Sequence, residues 1–297
     1  MTRPERRKVA QGLGFISPWL IGFLIFTAYP VAASLYYSLT DYRILRPPHW
    51  VGLANYATLL TGDEYFWRYA VANTAFMFLE LPASVVMGVS LAMLLNRKLR
   101  GMSLYRTLFY LPSVVPTVAA SMLWLWVLNP QYGLANGMLE KLHAAPLGWL
   151  TDPRWSKPSF IIMDLWGVGG GMVIYLAALQ GVPEHLYEAA LLDGASPWAR
   201  FRNVTLPMIS PVVFYNVVLG VIGTFQYFTQ TYIMTRGGPE LSTLFYALYL
   251  FQNAFEYFRM GYACAMAWVL FVITLGATLV VFRSSAKWVY YESGERG

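Results

Sequence analysis

Six stretches of this 297-residue chain each run for about twenty residues or more with at most one charge: 12–39, 70–95, 104–128, 159–179, 209–234 and 261–282. A helix needs about 20 mostly apolar residues to cross a hydrocarbon core, so each stretch is long enough for one crossing. The rest of the composition agrees. Charged residues make up 12% of the chain and the hydrophobic set 57%, against roughly 25% charged in soluble proteins. Too little polar surface remains to coat a water-soluble enzyme of this length. The expected fold is all-α: a polytopic membrane protein with six transmembrane helices. Interior prolines, among them Pro30, Pro82, Pro112, Pro116 and Pro211, are tolerated in membrane bundles and are expected to kink these helices without breaking them.

Basic residues set the expected orientation, because cytoplasmic loops are enriched in Lys and Arg. With the N-terminus inside, Arg3, Arg6, Arg7 and Lys8, then Arg97, Lys98, Arg100 and Arg106, then Arg200 and Arg202, then Arg283, Lys287 and Arg296 all fall on the cytoplasmic side. That is thirteen basic residues against eight outside, and a net charge of +7 against +1 once acids are counted. Both termini are therefore expected in the cytoplasm, with segment 1–11 and tail 284–297 there. The apolar run from Gly12 is longer than a signal-peptide core, so it reads as an uncleaved first span, 12–39. The longer loops, 40–69, 129–158 and 236–260, fall outside, and the one long inner loop is 181–211. The excess of +6 is thus explained by topology, and no nucleic-acid partner is expected. One cysteine, Cys264, and three scattered histidines, His49, His143 and His185, give neither a disulfide framework nor a metal-ligand set.

The inner loop reads GVPEHLYEAALLDGASPWARFRNVTLPMISP. Pro183 suits a first helical position and Glu184 the positive end of the helix dipole, while Leu186, Ala189, Ala190 and Leu191 favour helix. Gly194 permits a left-handed turn. Ser196 is placed to cap a second short helix with Pro197 at its start, ending where Pro207 begins the return to the membrane. Such a pair lies along the membrane surface. It serves either as an amphipathic connector on lipid headgroups or as a docking element.

The pattern decides between these. Glu188-Ala189-Ala190, Asp193-Gly194-Ala195, Phe201, Leu206-Pro207 and Pro211 resemble the EAA loop of the permease subunits of ABC importers. The resemblance continues through Pro18, Gly22 and Pro30, Gly52-Leu53-Ala54-Asn55-Tyr56, Asn73-Thr74, the run from Arg106 to Pro112, Asn129-Pro130 with Gly133, and Thr235-Arg236-Gly237-Gly238-Pro239. With Tyr187, these are similar to the first permeases of the maltose and glycerol-3-phosphate branch. The resemblance implies a type I importer permease fold with a five-helix core, 70–283, and the first span outside it. It also implies a bacterial or archaeal cytoplasmic membrane and several partners: a second homologous permease, two cytosolic ATPases that carry ATP and Mg, and an external solute-binding protein. The chain itself has no G-x-x-x-x-G-K-[ST] phosphate cradle, so no cofactor and no catalytic role are expected on it. ATPase coupling is then expected at Glu188, Ala189, Ala190, Asp193, Gly194, Ala195, Phe201, Leu206 and Pro207. Carboxylates supply charge-assisted bonds there, alanines allow close approach, and Gly194 sets the turn.

The solute path is expected along Gly223, Gln226, Tyr227 and Gln230, which recur at i, i+3, i+4 and i+7 on one helical face. Amides and a phenol can bind sugar hydroxyls, although the same stripe can instead hold helices together. Trp166, beside Gly167, Gly169, Gly170 and Gly171, either lines the same cavity or marks close helix packing. Glu80 and Asp164 are intramembrane carboxylates. Glu80 lies beside Pro82 and Asp164 towards the outer end of its span, so structural roles are expected. An ion-gradient carrier using both is the alternative function. The many aromatic residues read as interfacial belts and packing, and Cys264 as a packing residue.

Overall fold

A computed structural model describes residues 3–97 and 99–291, with side chains from residue 11 onward. The basic side chains before Gly12, Lys98, and the tail residues Glu292, Glu295 and Arg296 used in the orientation argument lie outside the described side chains. Among the described residues, four helices are long and apolar enough to cross a membrane: Gln11–Ser38, Phe66–Leu95, Pro197–Met234 and Met260–Ser285. Two bent pairs, Met102–Val114 with Thr117–Val127 and Pro153–Trp166 with Gly169–Gln180, qualify together. Counting each pair as one crossing gives six, numbered in chain order.

One proline exceeds a kink. The third span turns through 98° between its two halves, at Val115 and Pro116, whose ψ values of 126° and 137° are extended. A residue before proline is pushed out of the helical region, and Pro116 itself has no N–H to continue the ladder. Pro30 and Pro207 are absorbed differently. Each follows a widened π-type turn, Leu24–Ala28 and Phe201–Thr205 respectively, which shifts the hydrogen-bond register where a proline cannot donate.

The chain forms two compact units. In one, residues 1–63 with 250–271, the motif around Asn55 fastens the C-terminal end of the first span. Asn55 Nδ2 donates to the carbonyls of Ser38 and Thr40, both at 2.8 Å, and the Tyr56 hydroxyl donates to Ser38 Oγ at 2.8 Å. Farther along that helix, Trp268 Nε1 donates to Ser34 Oγ at 3.2 Å. Many apolar side chains of the first span remain exposed, Phe15 at 89% and Phe26 at 81%, as suits a helix surrounded by lipid or by another subunit.

The other unit, residues 64–249 with 272–297, holds the packed core. Val89, Ala92 and Leu95 of the second span, Met172, Tyr175, Leu176 and Leu179 of the fourth, and Ile209 and Val213 of the fifth form one cluster. A second cluster joins Met77, Leu128, Phe160, Met163, Met234 and Phe245. Close approach depends on glycine. A Cβ on Gly169 would strike the carbonyl of Phe109, so the third and fourth spans touch backbone to backbone there.

Candidate functional site

Two places in the second unit carry the expected functional residues. The first is the loop before the fifth span. Its first helix is Glu184–Leu192, followed by Gly194 at φ +73°, where a side chain would be strained. Ser196 caps the next helix, its Oγ accepting from Ala199 N at 3.2 Å. This second helix is not a separate piece ending at Pro207, as the proline suggested. It begins at Pro197 and passes through the π-type turn into Leu206–Phe225 without interruption, because the wide turn leaves room for the proline ring.

The loop has an inward and an outward side. Tyr187, Phe201 and Val204 pack on the core cluster, and the Tyr187 hydroxyl lies 3.0 Å from that of Thr205. Phe201 therefore anchors the loop from within. Glu188, Ala189, Asp193 and Gly194 are exposed, with Ala190, Ala195 and Pro207 half-buried. Leu192 is 90% exposed, Trp198 67%, Leu191 55% and Leu206 39%. Small residues, two carboxylates and bare apolar side chains of this loop are thus accessible.

The second place is a cavity of about 330 Å³ between the second, fourth and fifth spans. Glu80, Asp164 and Asn216 supply its polar wall, with Gly167, Gly171 and Gly220 opening the space beside them. Asp164 does not sit towards the outer end of its span. The helix starts at Pro153, capped by Asp152, whose Oδ1 accepts from Arg154 N at 2.8 Å. That earlier start leaves Asp164 midway along the bent pair. Its Oδ2 and the Tyr227 hydroxyl are both shielded from solvent without a partner at hydrogen-bonding geometry, yet Tyr227, Gln230 and Glu80 are the side chains that act on the Asp164 carboxylate. Glu80 and Asp164 therefore share one electrostatic environment.

The expected stripe along the fifth span is not one helical face. The helix ends at Phe225, residues Gln226 to Phe228 leave it, and Thr229–Met234 resumes. Tyr227 turns its ring between Phe160 and Phe245, at 5.9 and 5.5 Å between centroids. Gln226 and Gly223 are exposed, and of the stripe only Tyr227 and Gln230 lie near enough to Asp164 to influence its carboxylate. Trp166 packs edge-on against Trp124 at 6.1 Å and does not line the cavity. Of its neighbouring glycines, Gly169 serves packing, whereas Gly167 and Gly171 belong to the cavity wall.

A polar cluster that sequence reading touched only through the Asn73-Thr74 pair ties down the segment after the fifth span. Asn73 Nδ2 donates to the carbonyls of Leu241 and Leu244 at 2.8 and 3.4 Å, and its Oδ1 accepts from Lys157 Nζ at 3.0 Å. Thr74 Oγ1 accepts from Tyr246 N at 2.9 Å.

Comparison with known proteins gives a consistent result. The family model described as binding-protein-dependent transport system inner membrane component matches residues 84–289. The probable ABC transporter permease protein YesP of Bacillus subtilis (strain 168) is 40% identical over 298 residues, 99% of this chain and 96% of that protein. The trehalose/maltose transport system permease protein MalF of Thermococcus litoralis is 33% identical, covering 93% of this chain and 94% of its own. The lactose transport system permease protein LacF of Rhizobium radiobacter is 35% identical with the same coverage. In fold, the chain matches a bacterial alginate ABC transporter, solved in complex with an alginate pentasaccharide-bound periplasmic protein, with a TM-score of 0.82 at 23% identity over 95% of this chain and 96% of that one.

Proposed function

The chain belongs to the family of inner membrane components of binding-protein-dependent transport systems, and from that premise we propose how it carries its solute and takes its drive. It is the permease of an ATP-driven importer, and ATP hydrolysis falls to separate subunits, so the chain is not an enzyme. The relatives named for trehalose/maltose and lactose support a sugar or sugar-like solute. A second homologous permease, two cytosolic ATPases binding ATP and Mg, and an external solute-binding protein complete the machine, with both termini and the 181–211 loop in the cytoplasm. The gradient-driven alternative built on Glu80 and Asp164 gives way to this family membership.

The observation that supports the drive is the unbroken run from Pro197 into the fifth span. A partner that grips Leu192, Trp198, Glu188 and Asp193 holds one end of a lever whose other end is a wall of the cavity. Closure of the ATPases then tilts the fifth span as a rigid element, and the cavity opens to alternate sides by movement of packed bodies. In the cavity, Asp164, Glu80 and Asn216 offer acceptors and donors to solute hydroxyls, with Tyr227 and Gln230 beside Asp164; a buried polar group requires such partners of whatever displaces its water.

The test is affinity purification of the importer from mildly solubilised membranes with native chain, Glu188→Ala and Gly194→Arg, together with solute uptake. The native chain retains an ATPase and a second permease. Gly194→Arg keeps the second permease, loses the ATPase and lowers uptake by about tenfold or more, the scale of a lost central interface contact. Full ATPase retention with both variants overturns this docking surface.

A further inference from the structure

Between Met102–Val114 of the third span and Gly169–Gln180 of the fourth lies a separate groove of about 380 Å³. Its polar mouth is at the end of the bundle that carries the 181–211 loop, since Gln180 directly precedes that loop. Arg106, Thr107 and Gln180 line the mouth, and Val173, Leu176 and the ring of Tyr110 line the depth. Val173 stands seven residues from Gln180, so the apolar part extends about 10 Å along the helix axis.

The cation at the mouth is held in place. Arg106 Nε and Nη2 donate to the Leu95 carbonyl at 3.2 and 2.8 Å, which fixes the guanidinium plane and leaves Nη1 directed elsewhere. No carboxylate pairs with Arg106 among the described residues, and none lines the groove. Arg97 and Arg100, exposed on the short segment between the second and third spans, add positive charge at the same end. A lone fixed guanidinium above an apolar slot, in helices that cross a membrane, matches a molecule with an anionic head and a hydrocarbon tail.

We propose that this groove binds one anionic phospholipid. Its phosphate accepts from Arg106, a bond of the charge-assisted kind; its glycerol ester oxygens meet Thr107 and Gln180; and one acyl chain lies on Val173 and Leu176. The lipid thereby becomes part of the contact between the third and fourth spans, one turn from the core residue Leu179 that supports the coupling loop. This site is independent of the solute cavity and of the ATPase surface.

The experiment uses the assembled importer in nanodiscs of phosphatidylcholine containing a minor fraction of phosphatidylglycerol, with retained lipid counted by native mass spectrometry after extraction. The native chain retains phosphatidylglycerol in preference to phosphatidylcholine. Arg106→Gln lowers that preference by about fivefold, the scale for one basic contact with an anionic headgroup. Ala177→Trp, which fills the groove and keeps the guanidinium, removes retention. Val173→Trp does the same from the deeper end and serves where Ala177→Trp fails to accumulate. Equal retention of the two lipids by the native chain overturns the proposal, as does retention unchanged by either tryptophan. So does inorganic phosphate competing the lipid away, which marks a headgroup-only anion site, or crosslinking of Ala177→Cys to the second permease, which marks a protein contact.

Discussion

The segments on either side of the fifth span are built in opposite ways. The one leading into it, 181–205, which includes the first residues of the span from Pro197, keeps most of its hydrogen bonds local and exposes Leu191, Leu192 and Trp198; Tyr187 and Thr205 supply its side-chain link across the turn. The one after it, 235–246, is buried from Ser242 onward, exposes Arg236 and Glu240, and is tightly bonded. Arg236, Gly237, Glu240 and Leu241 all have positive φ, a costly run of conformations for three non-glycine residues. Asn73, Thr74, the Ser156–Ser242 hydroxyl pair at 2.8 Å and the Thr235–Thr243 pair at 2.7 Å hold that backbone. A satisfied buried polar network stiffens the place where three spans must stay together. An exposed surface of small, acidic and apolar groups is what a moving partner can grip. One end of the fifth span is thus tied and the other is offered.

The largest effect that would break this contrast is at the tied end. Asn73→Leu leaves the Leu241 and Leu244 carbonyls and the Lys157 ammonium without their amide, and unmade buried bonds cost about 1–3 kcal/mol each. The variant should show a clear fall in thermal midpoint in detergent and a lower level in membranes. A midpoint equal to native would mean that the cluster does not hold segment 235–246.

Leu192→Glu makes the complementary change at the offered end. The side chain touches little within the chain, so stability should stay within about 0.5 kcal/mol, while ATPase retention and uptake fall together. Parallel loss of stability and uptake would instead make Leu192 part of the fold. The smallest effect is expected for Tyr187→Phe, which removes only the bond to Thr205. It should cost about 1 kcal/mol, a slight fall in thermal midpoint, with uptake close to native; a large uptake defect would assign the hydroxyl a role in coupling.

Much of the architecture is legible in the chain itself. The crossings follow from apolar length, and the first, second and sixth begin and end within a few residues of the expected limits. The Gly194 turn and the Ser196 cap are readable because each depends on neighbouring residues alone. The early start of the fourth span is also signalled, by Asp152 as a cap and Pro153 at the first helical position, but the apolar run begins later and the charged first turn conceals it. The Asn73 cluster has no comparable local sign. Its partners lie 84, 168 and 171 positions away, and an asparagine in an apolar span looks the same whether it clamps a distant loop or faces a neighbour. The stripe on the fifth span fails for a related reason. Periodicity assumes an unbroken helix, and Gln226-Tyr227-Phe228 contains neither glycine nor proline to announce the break; Tyr227 leaves the helix where Phe160 and Phe245 receive its ring.

From the sequence alone came the membrane, the number of apolar stretches and the loop that identifies the transport family, since transfer free energy and turn chemistry are properties of short segments. Tertiary structure decided which proline breaks a span and which is absorbed, that the second helix of the 181–211 loop and the fifth span are one continuous helix, and that Glu80 and Asp164 share a cavity. Those outcomes depend on which surfaces, far apart in the chain, compete to pack against the same residue.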